Sequence, residues 1–305
     1  MPLTPKIAVL LAAYNGMQWI DAQLTTIQAQ VGVDVHVIIS VDPSSDGTDA
    51  WCETYAAAHA NVSLLPPGER CGGAARNFFH LIRNTDLDGF DFVAFSDQDD
   101  LWHEDKLERA AKYLTSNYLD AYSSNVTAFW PDGRTHLLDK AQPQVKWDHY
   151  FEAAGPGCTY VLTKVFAAFL QREVKAHWTA LEEVALHDWY IYALARNNGF
   201  RWYIDAASSM EYRQHTSNQF GANKGVSALL SRCKRIRNGW WFNQVKLIER
   251  LINHHKPPNE RPVWRSLTRP DLLTLCFRGA ICRRRFRDKA FFITLCVVCI
   301  IFRTG

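Results

Sequence analysis

The first hundred residues alternate between apolar runs of strand length and stretches in which apolar residues recur with helical spacing. Ile7 to Ala13 is a continuous apolar run, and the turn residues Tyr14, Asn15 and Gly16 follow it. In the next stretch, apolar residues recur at Ile20, Leu24 and Ile27, which share one face of a helix. The same patterns predict further strands at 33–41, 62–65 and 90–95. They also predict one helix that Thr48 begins and caps, and another helix over 76–84.

This alternation predicts βαβ units, and therefore an α/β fold with a mostly parallel sheet and helices on both faces. Ligands bind beyond the carboxyl ends of the strands in such sheets. The polar clusters at 13–16, 42–47 and 96–100 all follow predicted strands. They predict a ligand-binding edge. The later pattern is less regular, with short strands predicted at 159–162 and 202–204 and a helix beginning at His187.

Three carboxylates stand together in Asp97-Gln98-Asp99-Asp100, directly after a predicted buried strand. They would repel one another unless a cation lay among them, and hard oxygen ligands suit Mg²⁺ or Mn²⁺. The alternative is a helix N-terminus, with the acids complementing the dipole of a helix over 101–114.

Two segments between the first and fourth predicted strands carry candidates for recognising a nucleobase, a ribose or a phosphate. Asp42 and Asp46 flank a turn, either as turn formers or with Asp42 as an acceptor for a nucleobase or ribose group. Gly72 to Asn77 opens a helix with small residues and a cation, so that Arg76 could hold a phosphate. The segment has neither the Walker ending nor the complete G-x-G-x-x-G pattern, which argues against an ATPase and a dinucleotide site.

Two segments after residue 180 complete the set of candidates. Asp188 follows His187 where a helix should begin, and it is either a helix-terminal acid or a carboxylate facing a cleft. The segment Tyr212-Arg213-Gln214-His215 brings a cation, an amide and an imidazole together, and imidazole also completes metal sites.

Composition excludes several classes of protein. The chain has 305 residues, of which 48% are hydrophobic and 21% charged, values that exclude disorder, collagen and a coiled coil. Ile7 to Ala13 lacks the basic flank and cleavage site of a signal peptide, and the cysteines are scattered. Cys296 and Cys299 lie in a purely apolar run, which favours small hydrophobic residues over a metal or redox pair. We therefore expect a reduced, cytoplasmic protein.

The charges are unevenly distributed along the chain. Residues 1–231 carry 17 Lys and Arg against 27 Asp and Glu, a net charge of −10, whereas residues 232–305 carry 17 against 4, a net of +13. Within this basic tail, Trp241, Val245, Ile248 and Ile252 predict an amphipathic helix over 232–256. Arg232, Lys234, Arg235 and Arg237 precede the apolar positions of this helix, and the basic residues Arg283 to Arg285, Arg287 and Lys289 come shortly before the end of the tail.

The tail ends in an apolar run at 290–302. Its 13 residues would make a helix of roughly 20 Å, too short for the roughly 30 Å core of a bilayer. The tail is thus predicted to attach peripherally to the anionic inner face of the cell membrane. Packing on the catalytic domain, or on a second subunit in a homodimer, is the alternative. The acidic body and the apolar run argue against nucleic acid as a partner.

The motifs, taken in order, resemble glycosyltransferase family 2, and more narrowly its bacterial rhamnosyltransferase-type members of cell-surface polysaccharide synthesis. The resemblance covers about residues 5–222. It rests on the segments 10–16, Asp42 with Asp46 to Thr48, 75–77, 97–102 with Lys106, 187–189 and 212–215.

This resemblance implies a GT-A fold and inverting transfer of a sugar from a nucleotide-diphosphate donor. The expected domains are a GT-A glycosyltransferase domain at 1–225 and a helical, membrane-associating extension at 226–305. By this resemblance, Ala13 and Tyr14 contact the nucleotide and Asp42 binds the nucleobase. The other residues that contact the donor are Arg76, Asn77, Asp97 and Arg213. Asp99 and His215 bind the metal, and Asp188 is the catalytic base.

The resemblance further implies rhamnose from dTDP-rhamnose as the transferred sugar. The predicted attachment of the tail to the membrane implies a lipid-linked oligosaccharide as the acceptor. One departure affects donor recognition, since the usual Asp-Asp-Gly-Ser turn is here Asp42-Pro43-Ser44-Ser45. The Gln-x-x-Arg-Trp motif of processive synthases is absent from the sequence, which favours transfer of a single sugar. A sugar-phosphate nucleotidylyltransferase and an inactive membrane-associated scaffold are the alternatives, although the turn after the first strand lacks the glycine-rich phosphate loop that the former needs.

Overall fold

A computed structural model describes residues 4–66, 68, 70–215 and 239–302. The described chain forms two compact units. The first comprises the residues up to Ala141 with Gly155–Asp188 and 199–215, and the second comprises Gln142–Ala154, Trp189–Asn198 and 239–302. Four basic residues of the predicted helical tail lie outside the described residues, namely Arg232, Lys234, Arg235 and Arg237.

The first unit is an α/β domain built on one large sheet. Its strands are β1 Lys6–Ala13, β2 Asp34–Val41, β3 Val62–Leu64, β4 Phe92–Ser96, β5 Leu101–Trp102, β6 Ala121–Phe129, β7 Thr135–Leu138, β8 Val161–Thr163 and β9 Trp202–Arg213. Its helices are α1 Ile20–Gln28, α2 Thr48–Ala58, α3 Ala74–Asn84, α4 Lys106–Ser116, α5 Lys164–Ala176, α6 Trp178–Leu181 and the start of α7 His187–Asn197.

The sheet has the order β3-β2-β1-β4-β8-β6-β9-β5, with β7 paired to β6. β1, β2, β3 and β4 run parallel, as does the pair β6 and β9. β8 is antiparallel to both β4 and β6. The mostly parallel α/β sheet predicted from the sequence is therefore confirmed.

The central strand β1 explains why this half of the sheet is stable. Ile7 to Leu11 are completely buried, because helices cover both faces of the strand. Ile7, Val9 and Leu11 pack in one cluster with the apolar face of α1, at the predicted Ile20, Leu24 and Ile27. A strand buried on both faces reads as a continuous apolar run, which is the pattern that the sequence has there.

β1 lies between β2 and β4, so the chain leaves β1 in one direction and returns on its other side. This reversal is the topological switch point of an α/β sheet, where a crevice opens beyond the strand ends. The residues after β1 and β4 meet there, and they are two of the predicted polar clusters.

The structure differs from two local predictions. Thr48 does not cap α2, because its hydroxyl donates to Asp46 and accepts from the Gly16 amide, while Gly47 takes the cap position. The strand predicted at 202–204 extends to Arg213, since most of its length pairs with β6. β6 escaped prediction because it carries small polar residues that are nonetheless buried, such as Ser123 and Ser124.

The second unit is helical. It contains a 3₁₀ turn at Asp148–Tyr150, the remainder of α7, α8 Trp240–Ile252, α9 Arg269–Phe277, a 3₁₀ turn at Gly279–Ile281 and α10 Phe286–Phe302. The predicted amphipathic helix is present as α8, and its apolar residues Val245, Ile248 and Ile252 are completely buried in the protein.

A buried ionic cluster ties together the segments of this second unit. Asp148 is completely buried and contacts Arg196 at 3.1 Å and Arg284 at 3.5 Å, while the Tyr192 hydroxyl donates to it. Burial alone would raise the pKa of Asp148, but the hydrogen bond with His149 and the two arginine charges hold it below its ordinary value. The carboxylate thus joins the 3₁₀ turn to α7 and to the segment before α10.

Candidate functional site

Gln98, a residue of the acidic motif to which the sequence assigned no role, holds the end of β1. Gln98 accepts a hydrogen bond from the Tyr14 amide and donates one to the Tyr14 carbonyl, both at 2.7 Å. Gly16 allows this close approach, because a Cβ at residue 16 would force the end of the Gln98 side chain to shift. Gln98 therefore fixes the loop after β1 against the loop after β4 and leaves the Tyr14 ring exposed.

The end of β2 contributes Asp42, which is 5% exposed. Its two carboxylate oxygens accept the backbone amides of Cys71 at 2.7 Å and Gly72 at 2.8 Å. The backbone amide of Asp42 in turn donates to the Ala13 carbonyl. Asp42 thus connects β1 to the loop that leads into α3.

Asn77 lies behind the same strand ends and is 3% exposed. Its side-chain amide donates to the carbonyls of Ser40 at 3.2 Å and Ala13 at 3.4 Å. Asn77 thus links the ends of β1 and β2 from inside the protein, behind the edge of the sheet where a ligand is predicted to bind.

Arg76 is exposed in the first turn of α3. Its Nε donates to the Glu182 carbonyl at 2.9 Å, which directs the guanidinium toward the segment after α6. The helix N-terminus and this fixed cation make the start of α3 suitable for an anion.

The acidic segment after β4 meets the end of β9. Asp99 Oδ2 lies 2.6 Å from His215 Nε2, and the Trp19 ring stacks on the imidazole with the ring centres 4.1 Å apart. Arg213 donates from Nε to the Asp99 carbonyl and from its backbone amide to Asp100. Residues 97–100 and 213–215, far apart in sequence, thus form one cluster.

The alternative explanation of the acids as a helix N-terminus is wrong. Leu101–Trp102 is the short strand β5, paired with β9, and α4 begins only at Lys106. The pairing of β5 with β9 instead brings the acids to His215.

Two of the acids are held in an unfavourable electrostatic environment. Burial and the neighbouring charge of Asp99 raise the pKa of Asp97 to about 7, and the same causes raise the pKa of Asp100 well above its ordinary value. Lys106 is buried beneath them, and burial lowers the pKa of its ammonium to about 8. Its Nζ donates to the Cys158 carbonyl at 2.6 Å and lies 3.7 Å from the centre of the Trp102 ring.

These residues fit a divalent cation. Ligand atoms of Asp97, Asp100 and Cys158 lie within 4.8 Å of one another, and Asp100 Oδ2 is buried without a hydrogen-bond partner among the described residues. Asp99 and His215 add a carboxylate and an imidazole that already touch. The carboxylates and the imidazole suit Mg²⁺ or Mn²⁺, and a cation would relieve the repulsion among the acids. The Cys158 thiol does not suit these hard cations, because thiolates prefer softer metals and burial raises the pKa of this thiol well above its ordinary value.

Asp188 lies in the first turn of α7, as predicted, and is partly exposed. Its charge contributes to the raised pKa of Asp97, which places it at the same edge of the sheet. The Tyr160 hydroxyl donates to the Asp188 carbonyl at 3.3 Å and to the Gly155 carbonyl at 3.2 Å. The preceding His187 is buried and stacks on Phe78, with the ring centres 4.1 Å apart.

The structure brings most of the predicted site residues to one edge of the first unit. Hydrogen bonds link Ala13, Asp42 and Asn77 in one group and Asp99, Arg213 and His215 in another, and Gln98 joins the two through Tyr14. Arg76 is directed toward Glu182. Sequence reasoning assigned no role to Gln98, Trp19, Lys106, Cys158 or Tyr160. Gln98 could have been found from its place within the acidic motif, whereas Trp19 carries no local signal.

The switch point of an α/β sheet is where such proteins bind ligands, and the acid cluster with its adjacent histidine offers groups that can hold a cation and an anionic ligand there. Residues 8–172 match glycosyl transferase family 2. The chain is 42% identical to the dTDP-rhamnosyl transferase RfbG of Shigella flexneri over 243 residues, which cover 79% of this chain and 84% of RfbG. The chain belongs to glycosyl transferase family 2, and it is a glycosyltransferase.

Solved structures agree on the fold. The Staphylococcus aureus TarS 1–349 complex with UDP matches with a TM-score of 0.57 at 13% identity, covering 96% of this chain and 88% of that one. The mannosyltransferase PcManGT of Pyrobaculum calidifontis, in complex with GDP-Man and Mn²⁺, matches with a TM-score of 0.50 at 14% identity, covering 100% and 89%. The predicted GT-A fold is confirmed.

Proposed function

We propose that this glycosyltransferase transfers a single rhamnose from dTDP-rhamnose, with inversion and with the help of a divalent metal, to a lipid-linked oligosaccharide of a cell-surface polysaccharide. The observation that carries the donor assignment is the 42% identity to a dTDP-rhamnosyl transferase over 84% of that protein. The contact between Asp99 and His215 supports the metal dependence.

The nucleotide would lie at the ends of β1 and β2. The exposed Tyr14 ring offers a stacking surface, and its peptide is fixed by Gln98. Asp42 would recognise the base with the lone pairs left after its two bonds to Cys71 and Gly72, since a carboxylate offers about four acceptor sites. Ala13 and Asn77 would support this face, and Arg76 would contact the ribose or phosphates.

The donor diphosphate would lie beside the acid cluster. Asp99 and His215 would hold a Mg²⁺ or Mn²⁺ ion, which would supply positive charge against the leaving diphosphate. Asp97 would contact the donor on the same edge. Arg213, fixed by its bond to the Asp99 carbonyl, would place a permanent cation near the negative charge that builds up.

Asp188 would act as the general base. It would take the proton from an acceptor hydroxyl as that oxygen attacks the anomeric carbon. The new glycosidic bond forms while the bond to the diphosphate breaks, and the diphosphate leaves with the electron pair. A single displacement of this kind inverts the anomeric configuration.

Attachment to the anionic inner face of the membrane would bring the enzyme to its lipid-linked acceptor. The second unit supports this proposal, because α9 and α10 expose the large apolar side chains Leu273, Phe277, Phe286, Phe291, Val297, Val298 and Ile301. Arg285, Arg287 and Lys289 adjoin them in sequence. None of the helices in the described part of the chain has the length and hydropathy of a membrane span.

A transfer assay tests the proposed function directly. The full chain is incubated with dTDP-rhamnose, UDP-glucose or UDP-N-acetylglucosamine, together with lipid-linked oligosaccharide extracted from membranes. Release of dTDP that depends on the acceptor, with no release from the UDP sugars, is the expected result. Acceptor-dependent release from a UDP sugar alone would contradict the rhamnose assignment.

A further inference from the structure

The outer face of α3 borders a cleft of about 300 Å³ that the proposed reaction does not use as a whole. Arg76, His80 and Arg83 recur four and three residues apart and so share that face of the helix. Arg70 lines the cleft from the preceding loop, and Trp178 and Glu182 line it from the opposite side. We define these six residues as the arginine cleft.

The charge of the arginine cleft contrasts with that of its surroundings. Residues 1–231 carry a net charge of −10, yet three guanidiniums line this one cleft, with Glu182 as the acidic residue of the set. Among the described residues, no carboxylate lies within ion-pair distance of Arg70, Arg76 or Arg83. Three guanidiniums that line one cleft, and that pair with no carboxylate in the part of the chain that the structure describes, favour an anionic ligand.

The other contacts keep these side chains in place. The Arg76 guanidinium is fixed by the Glu182 carbonyl at 2.9 Å, and that of Arg83 lies 4.4 Å from the centre of the Trp178 ring. This contact of the guanidinium with the Trp178 ring holds Arg83 at the cleft. A planar guanidinium fork matches a phosphate better than a point charge does.

His80 supplies a neutral group at the same place. Its Nδ1 lies 3.2 Å from the Ser40 hydroxyl, and when Ser40 donates to it the proton is on Nε2, which becomes a donor. Burial and the neighbouring charge of Arg83 lower the pKa of His80 and keep the imidazole neutral near pH 7. The cleft thus combines cationic and neutral donors.

We propose that the arginine cleft binds a phosphate group of a second ligand, separate from the sugar donor, through Arg83 and the residues around it, while Arg76 at the border of the cleft stays with the donor. The inference rests on the proposed function, because the phosphate of a lipid-linked acceptor is one source of this chemistry and a free diphosphate is the other. Arg70 ties the cleft to the donor edge, since its guanidinium lies 3.5 Å from the Tyr14 hydroxyl. A phosphate held in the cleft would therefore place its carrier beside the donor site.

The test uses the full chain and three variants. Arg83→Gln removes the charge, Arg83→Lys keeps the charge without the fork, and Arg172→Gln removes an exposed arginine of α5 outside the cleft. Inorganic pyrophosphate is titrated calorimetrically in EDTA, with and without excess dTDP. A second arm measures retention on phosphatidylcholine vesicles that contain a polyprenyl diphosphate.

The proposal predicts that Arg83→Gln weakens pyrophosphate binding about tenfold, the order expected for one lost charge-assisted contact. Arg83→Lys should lie in between, Arg172→Gln should match the native chain, and dTDP affinity should be unchanged in all. If Arg83→Gln lowers retention on the vesicles more than it lowers pyrophosphate binding, the ligand is the phosphate of a lipid-linked acceptor. If it lowers pyrophosphate binding more, the ligand is a free diphosphate.

Three results would overturn the inference: no binding in either arm, equal weakening by Arg83→Gln and Arg172→Gln, or complete competition by dTDP, which would make the cleft part of the donor site. The pyrophosphate arm needs no transferase activity. Its result therefore bears on the arginine cleft alone, whereas the transfer assay tests the proposed function. The failure of one can be told from the failure of the other.

Discussion

Asp188 is the single residue on which the proposed chemistry depends most directly. It lies in the first turn of α7, shares an edge with the acid cluster, and has a backbone carbonyl that accepts a hydrogen bond from Tyr160. We expect Asp188→Asn to lower turnover by about 10²–10⁴, the usual contribution of a general base, while the donor affinity stays nearly unchanged. Steady-state kinetics together with donor calorimetry would check this, and near-normal turnover would rule out the role.

The neighbouring His187 makes stability depend on pH. Burial lowers its pKa to about 3 in the folded protein, against about 6.5 in the unfolded chain. Between these values the unfolded chain binds more protons, so the free energy of unfolding falls as pH falls below about 6.5, by up to about 1.4 kcal/mol per pH unit.

Replacing this imidazole should remove that dependence. We expect the native chain to lose about 2 kcal/mol more than His187→Phe between pH 6.5 and 5.0, in urea denaturation at both pH values. Titration of the other groups is common to the two proteins and cancels in the comparison. Identical losses in both would show that His187 does not remain neutral in the folded state.

At the scale of elements, the segment from Gly155 to Tyr160 positions the start of α7. A Cβ on Gly157 would collide with His187 and lie 3.3 Å from the Asp188 Cβ, so residue 157 must be glycine for this close approach. Lys106 anchors the same segment from below through the Cys158 carbonyl. The acid cluster and Asp188 are thus held by one short stretch of chain.

Tyr160→Phe tests this positioning. The substitution removes the hydroxyl that bonds the Gly155 and Asp188 carbonyls, and a small displacement of the base should lower kcat roughly tenfold while the donor KM stays constant. Tyr122→Phe is the matched control, because its equally buried hydroxyl bonds Asp205 instead and its loss should lower stability alone. An equal effect of the two variants on kcat would contradict a specific role for Tyr160.

The elements also show where sequence reasoning succeeded and where it could not. β1 and α1 were predictable because full burial and helical spacing leave continuous apolar patterns. β6 was not predictable, since Ser123 and Ser124 are buried polar residues whose partners, Trp202 and Ser209, lie about 80 residues away. Pairing at that distance is a tertiary property that no local pattern records.

The same distinction applies to the site. Asp97, Asp99 and Asp188 stand at predicted element ends, so their place at one edge of the sheet could be inferred from the sequence, whereas the role of each was implied by the resemblance to the family. The stacking of Trp19 on His215 and the position of Lys106 under the acids depend on how β5 pairs with β9. A helix over 101–114 with the acids at its N-terminus was the alternative expectation, and the pairing of β5 with β9 leaves only its later part as α4, which begins at Lys106.

At the scale of the whole molecule, the distribution of charge distinguishes the two parts of the chain. The acidic first part contains the site, and the basic part contains α8, α9 and α10. The buried face of α8 is used for packing inside the protein, so the exposed side chains of α9 and α10 are the surface proposed to meet the membrane. Phe277 and Phe286 are each 84% exposed.

Substitution of these two residues tests membrane attachment without removing the buried Trp264 and Arg284, which a deletion of the tail would take away. We expect the double variant Phe277→Glu, Phe286→Glu to lose binding to anionic vesicles in a sedimentation assay, because it removes apolar area and adds negative charge. Exchanging both residues for Ser should give a smaller loss. Undiminished binding of the Glu variant would contradict attachment through this surface.

The central claim, that the site is a metal-dependent site for a nucleotide-diphosphate sugar, is tested most directly by donor calorimetry. The native chain, Asp99→Ala and the surface control Asp132→Ala are titrated with a panel of nucleotide sugars, with and without Mn²⁺. We predict that dTDP-rhamnose binds in the presence of Mn²⁺, that Asp99→Ala abolishes this binding, and that Asp132→Ala leaves it unchanged. Absence of binding to every donor under both conditions, or binding that is insensitive to Mn²⁺ and to Asp99, would contradict the account.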